Sequence, residues 1–133
     1  MLSEEDTSFT VSQICEINSR ILENSPDMLE RNLGGVMRDE ATIEWLLIEI
    51  DELDDSFDKA ATVLQKIATR HPFTQGNKRT AVVLANMILI MAGFEIDVSP
   101  NKLNTDIREM INANWSVGSV RCWLTENSVK IEE

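Results

Sequence analysis

Tyrosine is absent from this 133-residue chain, and four Phe and three Trp are the only other aromatic rings. Leu, Ile, Val and Met must therefore fill most of any core. Glycine and proline are also scarce, at 5 and 3 residues, which excludes long irregular or low-complexity stretches. The two cysteines, Cys15 and Cys122, are far apart and in no metal-ligand spacing, so a pair of buried intracellular thiols is expected rather than a disulfide or zinc scaffold. The longest apolar run, Ala81 to Phe94, has 14 residues and contains Asn86. It is too short to span a bilayer, and the acidic start MLSEEDTSF is no secretory signal. A cytoplasmic protein with no membrane association is expected. Cations are outnumbered, 12 Lys and Arg against 23 Asp and Glu, and a net charge of −11 argues against generic nucleic-acid binding.

The acids are unevenly spread. None occurs between Asp58 and Glu95, whereas Lys59, Lys66, Arg70, Lys78 and Arg79 all fall in that gap. Exclusion of acids from an apolar central helix accounts for 81–94, but not for the polar, basic stretch 59–79.

The length suits one domain with one core. Residues 1–9 read as an acidic leader, 10–127 as the domain and 128–133 as a tail. Thr10 with Gln13 forms a capping-box pattern, followed by the apolar stripe Val11, Ile14, Ile17 and Ile21. Ser25-Pro26 opens a short element, Asp39 caps a third helix, and Asp55 or Ser56 caps a fourth carrying Phe57, Ala60, Ala61, Leu64, Ile67 and Ala68. After a break at His71–Asn77, the segment Lys78–Met91 is apolar all round and predicts a helix buried on every side, ended by Gly93. Phe94, Ile96 and Val98 alternate as in a short extended stretch, and Ser99-Pro100 and Ser116 cap two last helices. The expected fold is all-α: a compact bundle of six or seven helices around one buried central helix, with at most a small hairpin. Of the three tryptophans, Trp45, Trp115 and Trp123, at least two are expected in the core.

The segment His71-Pro-Phe-Thr-Gln-Gly-Asn-Lys-Arg79 carries the chemistry. It runs into the start of the most apolar helix, where free amides and a partial positive charge make an anion site. Gly76 permits close backbone approach, the Asn77 amide can cap or bind an oxyanion, and Lys78 and Arg79 add full charges. Phe73 can peg the loop to the core. His71 is the only histidine, and imidazole is the side chain suited to general-base work near neutral pH. Each feature alone is commonplace: a lone His is usually structural, Gly-Asn marks turns and Lys-Arg is usually solvated. Their order before an apolar helix is not commonplace.

The string HPFTQGNKRTA resembles the signature of Fic/Doc (Fido-fold) proteins, His-x-Phe-x-(Asp/Glu)-(Gly/Ala)-Asn-(Gly/Lys)-Arg. The surrounding pattern, including GVMRDEATIEWL at Gly35–Leu46 and the exit from Gly93-Phe94 to Ser99-Pro100, is similar to the Doc (death-on-curing) branch. The resemblance implies that His71 deprotonates a target hydroxyl and Phe73 anchors the loop. It implies an anion hole at Gly76, Asn77 and Lys78, and a phosphate contact from Arg79. Members with Gly at position 78 and a second Arg three residues after the first transfer AMP; this chain has Lys78 and Val82, as Doc-like members do. Such members resemble kinases that use ATP, or another NTP, to phosphorylate a protein hydroxyl on elongation factor Tu, and act as toxins held by an antitoxin.

Gln75 departs from the pattern, standing where the family holds its metal-binding acid. Mg²⁺ prefers carboxylate oxygens, so its binding is expected to be weakened. Three readings remain open: an enzyme with a weak metal site, replacement by an acid from Asp51–Asp58, or a nucleotide- or partner-binding domain without chemistry. A second pattern, Ser19-x-x-x-Glu23-Asn24, fits the self-inhibitory helix of some Fic proteins; with Val82 in place of the second Arg, it reads better as a polar helix face, and inhibition is expected from a separate protein.

Overall fold

A computed structural model describes residues 9–132. The order is α1 (Val11–Glu23), α2 (Met28–Asn32), α3 (Glu40–Asp51), α4 (Ser56–Arg70), α5 (Asn77–Met91), β1 (Phe94–Ile96), α6 (Pro100–Asn112), α7 (Val117–Glu126) and β2 (Ser128–Lys130). It is an all-α bundle with one small sheet. No helix among the described residues is long and apolar enough to cross a membrane.

Local sequence sets the helix starts. Thr10 closes the capping box with Gln13, and the side chains of Asp39, Asp55, Ser99 and Ser116 each accept from an amide in the first turn of their helices. The short α2 is capped by Asp27, not by Ser25-Pro26. Ser25 is instead buried, with its hydroxyl donating to Glu30 (2.6 Å).

The centre holds two helices, not one. α4 buries Ala60, Ala61, Val63, Leu64, Ile67 and Ala68, and α5 buries Ala81, Leu84, Ala85, Ile88 and Leu89. Alanines on both helices let the backbones approach, while the larger residues close the core with α1, α3, α6 and α7. The expectation that α5 is buried on every side fails at Val83, Ile90 and Met91, which are exposed. In α1 the buried positions are Ile14, Asn18 and Leu22, so the apolar stripe expected at Val11, Ile14, Ile17 and Ile21 is rotated, and a polar residue lies at its middle.

Residues 128–130, read as tail, form β2 and pair antiparallel with β1, with Glu95 opposite Val129. Asn86 helps hold this sheet: its side chain accepts from the Ile96 amide (2.8 Å), which explains a polar residue within an apolar helix. The leader lies outside the described residues except for Phe9, which packs on the core. Both cysteines are free, but only Cys15 is partly buried; Cys122 is exposed, because it lies on the outer face of α7. Trp123 is in the core and Trp115 packs against it, while Trp45 is 67% exposed.

Candidate functional site: the loop between α4 and α5

α4 ends at His71, whose backbone turns left-handed (φ 52°) while its amide still bonds to the Ile67 carbonyl. That turn throws the chain out of the helix. Pro72 and Phe73 then dive inward, and Phe73 is fully buried. The strand-like segment 36–39 clasps the loop. The Arg38 and Asp39 amides donate to the Pro72 carbonyl (2.7 and 3.1 Å), and the Thr74 amide donates to the Val36 carbonyl (3.0 Å). Phe73 therefore does anchor the loop, through both its ring and its backbone.

Asn77 has a different job from the one its amide suggests. Its side chain is turned inward, accepting from the Phe73 amide (2.8 Å) and donating to the Phe73 carbonyl (2.9 Å). With both ends used, it staples the loop and is not offered to a ligand; only its backbone amide is.

Asn18 was not legible as a site residue. It is fully buried in α1, and its Nδ2 donates to the Gln75 carbonyl (2.9 Å) and the Thr80 hydroxyl (3.0 Å), while its Oδ1 accepts from the Gly35 amide (2.8 Å). One side chain thus fixes the motif loop, the first turn of α5 and the Gly34-Gly35 turn. The only signal was a polar residue at i+4 from Ile14 and i−4 from Leu22.

Gly76 caps α5 with φ 79°, and a Cβ there would come within 3.1 Å of both Asn18 Nδ2 and Leu22 Cδ2. Glycine is required for the turn and for the fit. A glycine cap brings no side chain, so α5 lacks the capping bond the other helices have. The amides of Gln75, Gly76, Asn77, Lys78 and Arg79 consequently have no acceptor among the described residues. Buried or partly buried, such donors are costly to leave unmet, and an anion satisfies several at once.

Lys78 and Arg79 flank these amides and are exposed. Lys78 has no partner among the described residues, and Arg79 meets Glu30 of α2 at a loose 3.4 Å. Glu30, not Glu23, is the acid that approaches the motif; Glu23 is exposed at the end of α1, and Ser19 packs under Gly34. The half-buried His71 imidazole makes no hydrogen bond among the described residues, so both ring nitrogens are open to a ligand.

The residues present do not fit a carboxylate-held Mg²⁺. The Gln75 side chain is exposed, and no group of three His, Cys, Asp or Glu among the described residues is arranged to hold a metal. The Asp51–Asp58 run cannot stand in, because Asp55 and Asp58 lie at the opposite end of α4 from His71, and that helix is about 22 Å long. There they grip Arg121, at 2.9 and 2.6 Å. Desolvation pushes the Asp55 carboxyl up, but the amides of Asp58 and Phe57 together with Arg121 outweigh it and hold it below the usual range.

A family model described as Fic/DOC family matches residues 8–89, which run from the start of α1 to near the end of α5. The chain belongs to the Fic/DOC family. It is 27% identical to the protein adenylyltransferase fic-1 of Caenorhabditis elegans across 75% of this chain and 23% of that protein. It is 30% identical to the protein adenylyltransferase Fic of Nematostella vectensis across 70% and 26%. The chain thus spans about a quarter of the length of these curated relatives. Among solved structures, Fic-1 (residues 134–508) from C. elegans superposes with a TM-score of 0.66 at 26% identity, covering 93% of this chain and 40% of that one. The N-terminal Fic domain of a VirB-translocated Bep effector protein from Bartonella quintana gives 0.68 over 94% and 73% at 15% identity, a likeness of fold alone.

Proposed function

We propose that this domain is a nucleotide-dependent protein transferase. It binds the phosphates of ATP, or another NTP, on the amides of residues 75–79 and moves a phosphorus group to a Ser or Thr hydroxyl of a protein. The observation that carries this reading is the row of unpartnered amides at the start of α5, flanked by Lys78 and Arg79. In the proposed step the His71 imidazole takes the proton of the target hydroxyl, and the hydroxyl oxygen forms a bond to phosphorus. The bond from phosphorus to the leaving oxygen breaks as the amides, Lys78 and Arg79 neutralise the charge that accumulates.

The finer proposal is phosphorylation, with attack on the γ-phosphorus and departure of ADP. Lys78 and Val82 support it, standing where AMP-transferring members have Gly and a second Arg. With one phosphate clamp missing and a side chain added at the hole, the triphosphate seats differently from its seat in those members. The Doc-like pattern carries two further proposals, elongation factor Tu as the target class and a separate antitoxin-like inhibitor. The relatives named as adenylyltransferases supply the competing outcome.

Transfer from γ-labelled and α-labelled ATP to a cell lysate, with and without Mg²⁺, separates these outcomes. A γ-label that transfers, together with loss of about 10²–10⁴ in rate on His71→Ala, is expected. An α-label that transfers instead makes the protein an AMP transferase, and ATP binding with no transfer of either label overturns catalysis. Gln75 favours this last reading as the alternative: a nucleotide-binding protein in which Gln75→Asp restores Mg²⁺-dependent turnover.

A further inference from the structure

Beside the start of α5 lies a cleft of about 250 Å³ between α5 and α6. We propose that it takes the aromatic base of the nucleotide whose phosphates lie on the amides of residues 75–79. The inference rests on the phosphate-binding reading above and adds a site to it.

Continuity is the first reason. Lys78 and Arg79 line this cleft and also stand in the first turn of α5, so the anion site and the cleft share two residues. A ligand reaching both is anionic at one end and apolar at the other. The walls supply the apolar part: Val82 and Val83 from α5 face Leu103 and Ile107 from α6. Val83 is 38% exposed and so presents aliphatic surface to water unless something flat covers it.

Size is the second reason. Pockets that swallow a drug-sized ligand measure about 300–1,000 Å³, so 250 Å³ suits one ring system with the phosphates lying outside. Spacing agrees. Lys78 and Val82 are one helical turn apart, about 6 Å along α5, which leaves room for the sugar between phosphates and base. Asn104 is exposed at the cleft with no hydrogen-bond partner among the described residues. A carboxamide there offers a donor and an acceptor side by side, the pairing that adenine presents on its edge. An arginine at position 82 would put a charge on this wall; Val82 keeps it apolar.

Calorimetric titration of the wild type with ATP and with inorganic tripolyphosphate tests the site. ATP is expected to bind at least about tenfold more tightly than tripolyphosphate, a difference of about 1.4 kcal/mol. Val83→Trp, which fills the cleft, is expected to erase that difference and leave tripolyphosphate affinity unchanged. Asn104→Trp, at an exposed position of α6, repeats the test should Val83→Trp fail to fold. Equal affinity for the two ligands in wild type, or ATP binding untouched by both fillings, overturns the base site and leaves phosphate binding standing; a cleft serving a partner protein gives this result. Absence of binding by either ligand overturns the phosphate reading and this inference with it.

Discussion

Two helix starts in this protein solve the same problem in opposite ways. At the head of α4, the Asp55 carboxylate accepts from the amides of Phe57 and Asp58, and Arg121 closes over Asp55 and Asp58. That end is satisfied from within. At the head of α5, Gly76 contributes no cap, the amides of residues 75–79 stay open, and the nearby cations are bound loosely or not at all. Leaving donors unmet costs stability, and the loop's three staples, Asn18, Asn77 and the 36–39 segment, hold the amides in place despite that cost. The contrast separates a helix end that builds the fold from one kept for a ligand.

The sharpest way to break that contrast is to exchange the arginines' fates. Arg79→Ala is expected to weaken ATP and tripolyphosphate binding about ten- to hundredfold, the worth of charge-assisted bonds of about 1.5–3 kcal/mol, with little change in melting temperature. Arg121→Ala is expected to do the reverse, lowering the melting temperature slightly and leaving binding intact, since exposed ion pairs contribute about 0–1 kcal/mol. Calorimetry and thermal melts on both variants decide it, and matching profiles would erase the distinction.

Removal of the shared staple comes next. Asn18→Ala strips partners from the Gln75 carbonyl, the Thr80 hydroxyl and the Gly35 amide. A loss of about 1–3 kcal/mol in chemical denaturation is expected, together with weaker anion binding, because the loop loses its inner support. A smaller effect follows at the other end. Asp55→Ala should cost about 1 kcal/mol, the usual value of a cap, with no effect on ligand affinity.

Acid sharpens the same point. Asp39 is held below the ordinary carboxylate range by the Thr42 hydroxyl and amide, Asp106 by Lys102 and the Trp123 indole, and Asp55 by the bonds already described. A carboxyl with a folded-state pKa below its unfolded value of about 3.9 adds stability above that value and loses it as pH falls through the folded one. Melting temperature should therefore respond little to these groups between pH 7 and about 5, and fall below about pH 4; a fall beginning near pH 6 would point to other groups. The smallest effect is at Glu30. Its pair with Arg79 is long and partly solvated, so Glu30→Gln should raise ATP affinity only a few-fold.

Much of this was written locally. The caps Thr10, Asp39, Asp55, Ser99 and Ser116 are short-range patterns, and so is the order His71, Phe73, Gly76, Lys78, Arg79 before an apolar helix. Pairings across the chain were hidden. Asn18 reaches Gln75 across 57 positions, Arg79 reaches Glu30 across 49, and β2 finds β1 only once α6 and α7 have folded back between them. The Asn77 side chain misled for a related reason: residue type announces a ligand group, but the inward turn that consumes it depends on where Phe73 is buried. Composition marked α5 as central. It did not mark α4, whose buried face consists largely of alanines that look unremarkable in a sequence.

The account turns on the open amides. Titration of ¹⁵N-labelled protein with tripolyphosphate, followed through the backbone amide resonances, observes them directly. The largest shifts are expected at residues 75–79, with residues 55–58 at the head of α4 unmoved. Shifts centred on α4, or none at residues 75–79 at saturating tripolyphosphate, would contradict it.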